Sequence, residues 1–461
     1  MSWIALKMLI GDKAKFFGIV LGLTFAAMLI TQQGSIFCGI MMRTYGQIRD
    51  ITGADLWVMD PNVRYIDDVK PMIETNLYRV RGVEGVLWAV PLYKGTGRVK
   101  LAVIKPDPKN PGRKIKEPVV DQVVMLGLDD ASLVGAPPPE RMLAGRLVDL
   151  RRPDAVIIDY ARLPRIFPSE PWGQAPKPPT TVDEIAESIA MAIGVHRGPT
   201  LFEKYRAAQK SFFSRFLNRE LEMNDHRALI VGVCEATRTF QSNPVICTTY
   251  SRAKLFVPQE RKPLTYILVK TDPKTPAVAK AASWSEKLNA FISGRSLPDP
   301  FAQTVAKSIE KQTGLRARSS EDFSWETIFY FLKYTGIPIN FGITTLLGFL
   351  VGTAIAGQTF YNFTIENLRQ FGALKAMGAG NMRIVGMILL QAAVTGLLGY
   401  GIGVGAATWF GQSSRGTELA FYTPWQLLPG TAIAIIVICI LASILSVRRV
   451  VVLEPAIVFR G

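Results

Sequence analysis

ENLRQFGALKAMGAG, residues 366–380, separates two of the most apolar runs in the chain. Ile365, Leu368, Phe371 and Leu374 recur in steps of three, which predicts one apolar ridge on a helix over 364–378. Glu366, Arg369 and Gln370 fall on another side, and Lys375 lies near the end. GAG at 378–380 reads as a helix stop, with Gly378 the residue suited to a positive φ, and turns the chain sharply into the next apolar run. The segment is short and amphipathic, with mixed charge. It lacks the dense basic face of a lipid-surface helix, so docking into a groove on a soluble protein is the expected use.

The runs around it decide the fold class. Crossing about 30 Å of hydrocarbon takes roughly 20 apolar residues. Four windows qualify: 16–42, 337–360, 382–410 and 425–447. The mixed polar sequence from 43 to 335 is too charged for lipid. The expectation is an α-helical membrane protein with four transmembrane helices, one and then three, and a large α+β extracytoplasmic domain between the first and second. The first window is too long for a signal-peptide core and no small-x-small cleavage site closes it, so it reads as a retained span.

Short flanks with a basic excess face the cytoplasm. Lys7, Lys13 and Lys15 precede the first span; Arg369, Lys375 and Arg383 follow the second; Arg448, Arg449 and Arg460 follow the fourth. Both termini and residues 361–382 are therefore expected inside, and 43–335 outside. Residues 1–15, with Trp3, Leu6 and Leu9 roughly on one side, predict a helix at the cytoplasmic interface. The formal net charge is +16, and most of the excess lies between 43 and 335. Outside the membrane that domain meets no nucleic acid, and a basic surface facing anionic lipid or a partner is the expected reading.

Within 43–335, strands are expected at 54–59, 85–95, 119–129, 154–160, 226–233 and 265–270. Helices are expected at 69–83, 277–293 and 300–314. A Pro-rich break at 163–181 leads into helical sequence at 182–194 and 200–221, together an insertion over about 163–225. From Glu321 the pattern is helical straight into the second span, so the domain is expected to stand on two helical stalks.

The chemistry of catalysis is missing from the sequence. His196 and His226 are the two histidines, and no Cys/His/carboxylate cluster has metal-ligand spacing. There is no phosphate-binding G-x-x-x-x-G-K-[ST] loop and no G-x-S-x-G elbow. GYGIGVG, 399–405, lies inside an apolar span with no strand before it. Gly399/Gly403, Gly401/Gly405 and Gly18/Gly22 instead have the spacing that lets helices pack closely in lipid. No catalytic residue, cofactor or metal is expected. Gln32, Gln33, Asn340 and Gln391 are polar residues within spans; they serve interhelical hydrogen bonds or line a path for an amphiphile. Cys38 and Cys439 read as packed thiols. Cys234 and Cys247, on strands expected to be neighbours, fit a cross-hairpin disulfide or two free buried thiols equally well.

The stretch LRQFGALKAMGAGNMRIVGMILLQAAVTGLLGYGIGVG (368–405) resembles the C-terminal core of MacB/FtsX-type ABC transporter permeases. Their motif runs R-x-E-I-G-x-L-(R/K)-A-x-G-A before a Gly-rich span. Gly372, Leu374, Lys375, Ala376, Gly378 and Ala379 match, and Arg369 lies one place after the motif's arginine position. EPAIVFRG (454–461) and TQQGSIF in the first span narrow the resemblance to the DevC type. The motif's carboxylate position holds Gln370 here, so its ion pair is absent or passes to Glu366.

The resemblance implies an FtsX-like permease domain over 336–461 and a MacB-like domain outside. It also implies a homodimer in the bacterial inner membrane and a separate ABC ATPase that binds at Glu366, Leu368, Arg369, Gln370, Phe371, Leu374, Lys375 and Gly378. Members of the DevC type work with a membrane-fusion adaptor and an outer-membrane channel to export lipids or amphiphiles. Two other classes compete: a non-transporting mechanotransmission subunit that regulates an extracytoplasmic partner, and a membrane-anchored receptor without an ATPase.

Overall fold

A computed structural model describes residues 2–106, 114–167, 170–176, 200–241, 243–256, 263–272, 299–414, 417 and 419–451. Along the chain, α1 (Ser2–Gly11) and α2 (Lys13–Asp50) come first, then β1 (Leu56–Met59), α3 (Thr75–Arg81), β2 (Val86–Pro106) and β3 (Lys114–Leu128). Next are β4 (Met142–Gly145), β5 (Ala155–Asp159), α4 (Leu201–Ser214), β6 (Glu220–Met223), β7 (His226–Cys234), β8 (Val245–Thr249), α5 (Tyr250–Phe256) and β9 (Tyr266–Thr271). The chain ends with α6 (Pro300–Thr313), β10 (Arg316–Ser319), α7 (Ser320–Tyr334), α8 (Ile337–Glu366), α9 (Leu368–Ala376), α10 (Asn381–Ser413) and α11 (Leu427–Val451). It divides into a membrane unit, Met1–Met42 with Phe331–Gly461, and a second unit, Arg43–Tyr330. Among the described residues four helices, those carrying the four expected spans, are long and apolar enough to cross a bilayer.

The second unit is built on a ten-stranded sheet in the order β10-β1-β9-β2-β3-β8-β5-β7-β4, with β6 pairing β2 and β7. Most neighbours are antiparallel; β3 with β8 and β5 with β7 are parallel. Strand side chains alternate between the two faces, so each strand feeds two cores. Leu56 and Val58 of β1 join one core with Ile267 and Val269 of β9, under α3, α5 and α6. Trp57 and Met59 join the other with Tyr266 and Leu268, where Ile48 and Ile51 from the end of α2 and Phe323 of α7 also lie. A register shift between Val156 and Ile157 in the β5–β7 pair restarts the alternation, which puts Val233 of β7 in the first core and Cys234 in the second.

Three sequence expectations change here. Cys234 and Cys247 are both free and buried. They are not on neighbouring strands, because β5 pairs with β7 on one side and β8 on the other. Two strand spacings, each about 4.8 Å, hold the backbones too far apart for a disulfide. The helix expected over 200–221 stops at Ser214, and Glu220–Met223 is a strand instead. Its aromatic end is core: Phe212, Phe213 and Phe216 are buried, with Trp172 stacked 5.3 Å from Phe216. The helical run from Glu321 is also not continuous. α7 ends at Tyr334 and α8 starts at Ile337, with Gly336 before it and Pro338 in its first turn. The helices expected at 182–194 and 277–293, residue His196 and the tail 454–461 lie outside the described residues.

In the membrane unit, Ile19, Leu23, Ala26, Ala27 and Ile30 of α2 form one core with Ala356 and Phe360 of α8, Ala392 of α10, and Ile435 and Ile438 of α11. Glycines set how closely these helices approach. A Cβ on Gly399 or Gly403 would lie 2.6 Å from the Cβ of Leu23 or Ala27, and one on Gly352 only 2.4 Å from that of Ala26. One on Gly22 would lie 2.7 Å from Ile355, whereas Gly18 has ordinary contact with Thr359 at 3.5 Å. Gly401 and Gly405 differ: each faces open space. Among the described residues, one of the two glycine ridges on α10 packs against another helix.

Candidate partner-contact site on the membrane unit

The quoted segment folds as a separate short helix. α8 ends at Glu366, so Ile365 belongs to that helix, and α9 begins at Leu368 after Asn367, whose Nδ2 donates to the Phe363 carbonyl at 2.8 Å. The far end closes at Gly378, where φ is +91°. The Gly378 N–H donates to the Lys375 carbonyl and the Ala379 N–H to the Leu374 carbonyl, at 2.9 and 3.0 Å. These two bonds satisfy carbonyls at the helix end that would otherwise have no partner.

The face expected to meet a partner is instead occupied from within. Phe371 is fully buried and Leu374 is 7% exposed. They form a small core with Ala5 of α1, Ala379, Ile384, Met387 and Ile388 of α10, and Val450 of α11, and Leu368 packs at its edge. An apolar ridge on a polar-sided helix is what packing against a neighbouring helix also requires, and spacing alone does not distinguish the two. α1 differs from its expected form for the same reason. Ala5 and Leu9 are its buried residues, whereas Trp3 is 68% exposed, with the Lys7 ammonium 5.7 Å from its ring.

The opposite side of α9 is bare. Arg369, Gln370, Ala373, Ala376 and Gly378 are exposed, Met377 is 75% exposed, and beyond the turn Met382 is 83% exposed. These exposed positions offer a guanidinium, an amide and two long flexible thioethers beside small alanines. Glu366 borders it and pairs with Lys15 at the start of α2; Lys15 also meets Asp12 at 2.6 Å. Lys375 Nζ donates to the Val451 carbonyl at 2.9 Å.

Gln391 fixes the other side of the arrangement. Its side chain is buried, and its Nε2 donates to the Ala5 carbonyl at 2.8 Å. Of the four polar residues noted in the spans, Gln391 makes an interhelical bond, Asn340 is exposed, and Gln32 and Gln33 are half-buried. Sequence reading did not single out Ala5, and neither alanine nor a lone intramembrane glutamine signals which helix it will touch.

Residues 341–455 match the family described as FtsX-like permease C-terminal. The membrane end of this chain is therefore similar to FtsX-like permease domains. An uncharacterized ABC transporter permease of Mycobacterium bovis is 31% identical to the chain over 119 residues, 26% of this chain and 33% of the relative. Another, from Mycobacterium tuberculosis, is 31% identical over 122 residues, 26% of this chain and 34% of the relative. The chain spans about a third of the length of these relatives. Among solved structures, the periplasmic region of MacB from Actinobacillus actinomycetemcomitans overlaps 60% of this chain and 94% of its own, at 11% identity and a TM-score of 0.31. The extracellular domain of the noncanonic ABC-type transporter YknZ from Gram-positive bacteria overlaps 58% and 98%, at 11% identity and a TM-score of 0.26. Within the matched residues, the segment from Arg369 to Ala379 forms most of α9 and its stop.

Proposed function

We propose that the chain is the membrane subunit of an ABC system in the bacterial inner membrane. A separate ATPase docks on the outward face of α9, and its cycle moves the 43–330 domain on the far side. The bare surface of Arg369, Gln370, Ala373, Met377 and Met382 carries this reading. It is a small patch on a helix that is rigidly backed by Phe371 and Leu374, so a push on one side is passed to α1 and α10 on the other. Both termini and α9 lie in the cytoplasm. A second copy pairs with the chain, and the unused face of α10 with Leu397, Gly401 and Gly405 is where it has room to approach. The export of a lipid or amphiphile, with a membrane-fusion adaptor and an outer-membrane channel, follows from the DevC-type resemblance.

The test is affinity capture of the detergent-solubilised chain and identification of the ATPase it brings down. Met377→Glu and Arg369→Glu should each lower recovery of that ATPase at least tenfold while the chain stays folded, as expected for an interface anchor costing more than about 1.4 kcal/mol. Leu374→Glu places a charge in the small core and should lower the yield of folded chain itself. Undiminished ATPase recovery with Met377→Glu and Arg369→Glu combined would exclude this surface, and absence of any ATPase from the wild-type capture would end the reading.

A further inference from the structure

Three successive backbone amides in the second unit are each held by a different element. The Glu235 N–H donates to the Arg141 carbonyl at 2.8 Å. The Ala236 N–H donates to Asp159 Oδ1 at 3.3 Å, and the Thr237 N–H donates to Asp50 Oδ2 at 2.6 Å. Thr237 Oγ1 also donates to Asp50 Oδ1 at 2.7 Å, and the Arg141 guanidinium pairs with the same carboxylate. Residues 235–237 thus form a strap between β5 and the last turn of α2. Its two carboxylates differ in kind. Asp50 has a guanidinium against it, whereas Asp159, 1% exposed at the end of β5, accepts among the described residues from the Ala236 and Ala161 amides, the latter at 3.4 Å.

We propose that Asp159 is a proton-operated latch on this strap: proton uptake closes 235–237 onto β5 and, through Thr237, tightens the grip of Asp50 on its neighbour. A carboxylate buried with two long amide contacts and no hydrogen-bonded cation is costly to keep charged. Burial raises the Asp159 carboxyl to about 7, and Glu235 pushes the same way, while the two amides and Arg238 oppose the rise. The other ionisable groups facing it among the described residues are Tyr160 beside it, Cys234 on β7 and Cys247 on β8. Tyr205 of α4 acts electrostatically on Tyr160, and Asp50 on the two thiols.

When the strap opens, the carboxylate is hydrated and binds a proton only near the ordinary value of 3.8. Between about 4 and 7 the closed form therefore holds one more proton than the open form. Closing is favoured about tenfold for each pH unit of fall below 7 and is weakest at neutral and alkaline pH. On the proposed topology, this domain lies on the outer side of the membrane and meets the pH of its surroundings. The latch makes the grip on α2 respond to it.

Amide hydrogen exchange of the purified full-length chain from pH 5 to 8, corrected for intrinsic rates, tests the latch. Protection at 235–237 should rise about tenfold per unit below pH 7 in the wild type. In Asp159→Asn, which cannot ionise, it should be high and independent of pH. A flat wild-type profile, or an Asp159→Asn profile that keeps the slope, overturns the proposal. Infrared difference spectra of the wild type alone serve where the variant misfolds. The carbonyl band of a buried protonated carboxyl should disappear between pH 5.5 and 8.5, and the absence of such a band overturns the proposal.

Discussion

At the scale of the residue, the membrane unit depends on a few side chains whose neighbours explain them. Gln391 is a polar residue where lipid-facing polarity would be expensive, and it is satisfied by one carbonyl of α1. That carbonyl lies within the helical ladder, so losing the extra bond costs the unit only about 1 kcal/mol. Gln391→Leu should therefore leave the protein inserted and folded. It should raise the exchange rate of the α1 amides around Ala5 several-fold, as read by hydrogen exchange. Unchanged exchange at α1 would show that the small core of Phe371, Leu374 and Ala5 holds that helix without the bond. Gly378 is explained differently: its φ of +91° is a conformation that residues with a Cβ adopt reluctantly.

At the scale of the element, close helix packing explains why glycine spacing in α10 reads as it does. A side chain at Gly403 would meet the Thr24 carbonyl and the Ala27 Cβ, both at 2.6 Å, and these are backbone-fixed atoms. Gly405, half a turn further, meets nothing within 4 Å. Gly403→Leu should force α2 and α10 apart at a cost of several kcal/mol, comparable to severe overpacking. Gly405→Leu should be neutral to slightly stabilising in the monomer, since glycine is a poor helix former. Thermal unfolding of the two variants in detergent measures the contrast, and equal melting temperatures would refute the packing account. The same logic divides α9. Its buried side was legible as an apolar ridge of three-residue steps, but which surface the ridge meets was not. The residues that meet it, in α1, α10 and α11, are far away in the sequence.

At the scale of the whole molecule, the orientation proposed from the basic flanks has a direct check. Met377 is 75% exposed in the α9 turn, and Val148 is 58% exposed in the second unit. With the four native cysteines replaced by alanine or serine, Val148→Cys should react with a membrane-impermeant maleimide in intact spheroplasts. Met377→Cys should react only after the membrane is opened. The reverse pattern would invert the topology and move the α9 surface away from any cytoplasmic ATPase.

Some of this protein was determined by local sequence alone. Helix length, hydropathy and the one-plus-three spacing depend on the 1.5 Å rise per residue and the thickness of hydrocarbon, so the four spans could be read without knowing any contact. The strand expected at 54–59 and found at Leu56–Met59 follows from a short apolar run, and the stop at Gly378 from glycine's backbone freedom. The tertiary structure decided the rest. The placing of β5 between β7 and β8 separates Cys234 from Cys247, and the small core claims Phe371 and Leu374 for the chain itself. The strap of 235–237 joins residues 50, 141 and 159. Each of these depends on which distant segments meet, and an apolar or charged side chain shows that it needs a partner without showing which one it will find.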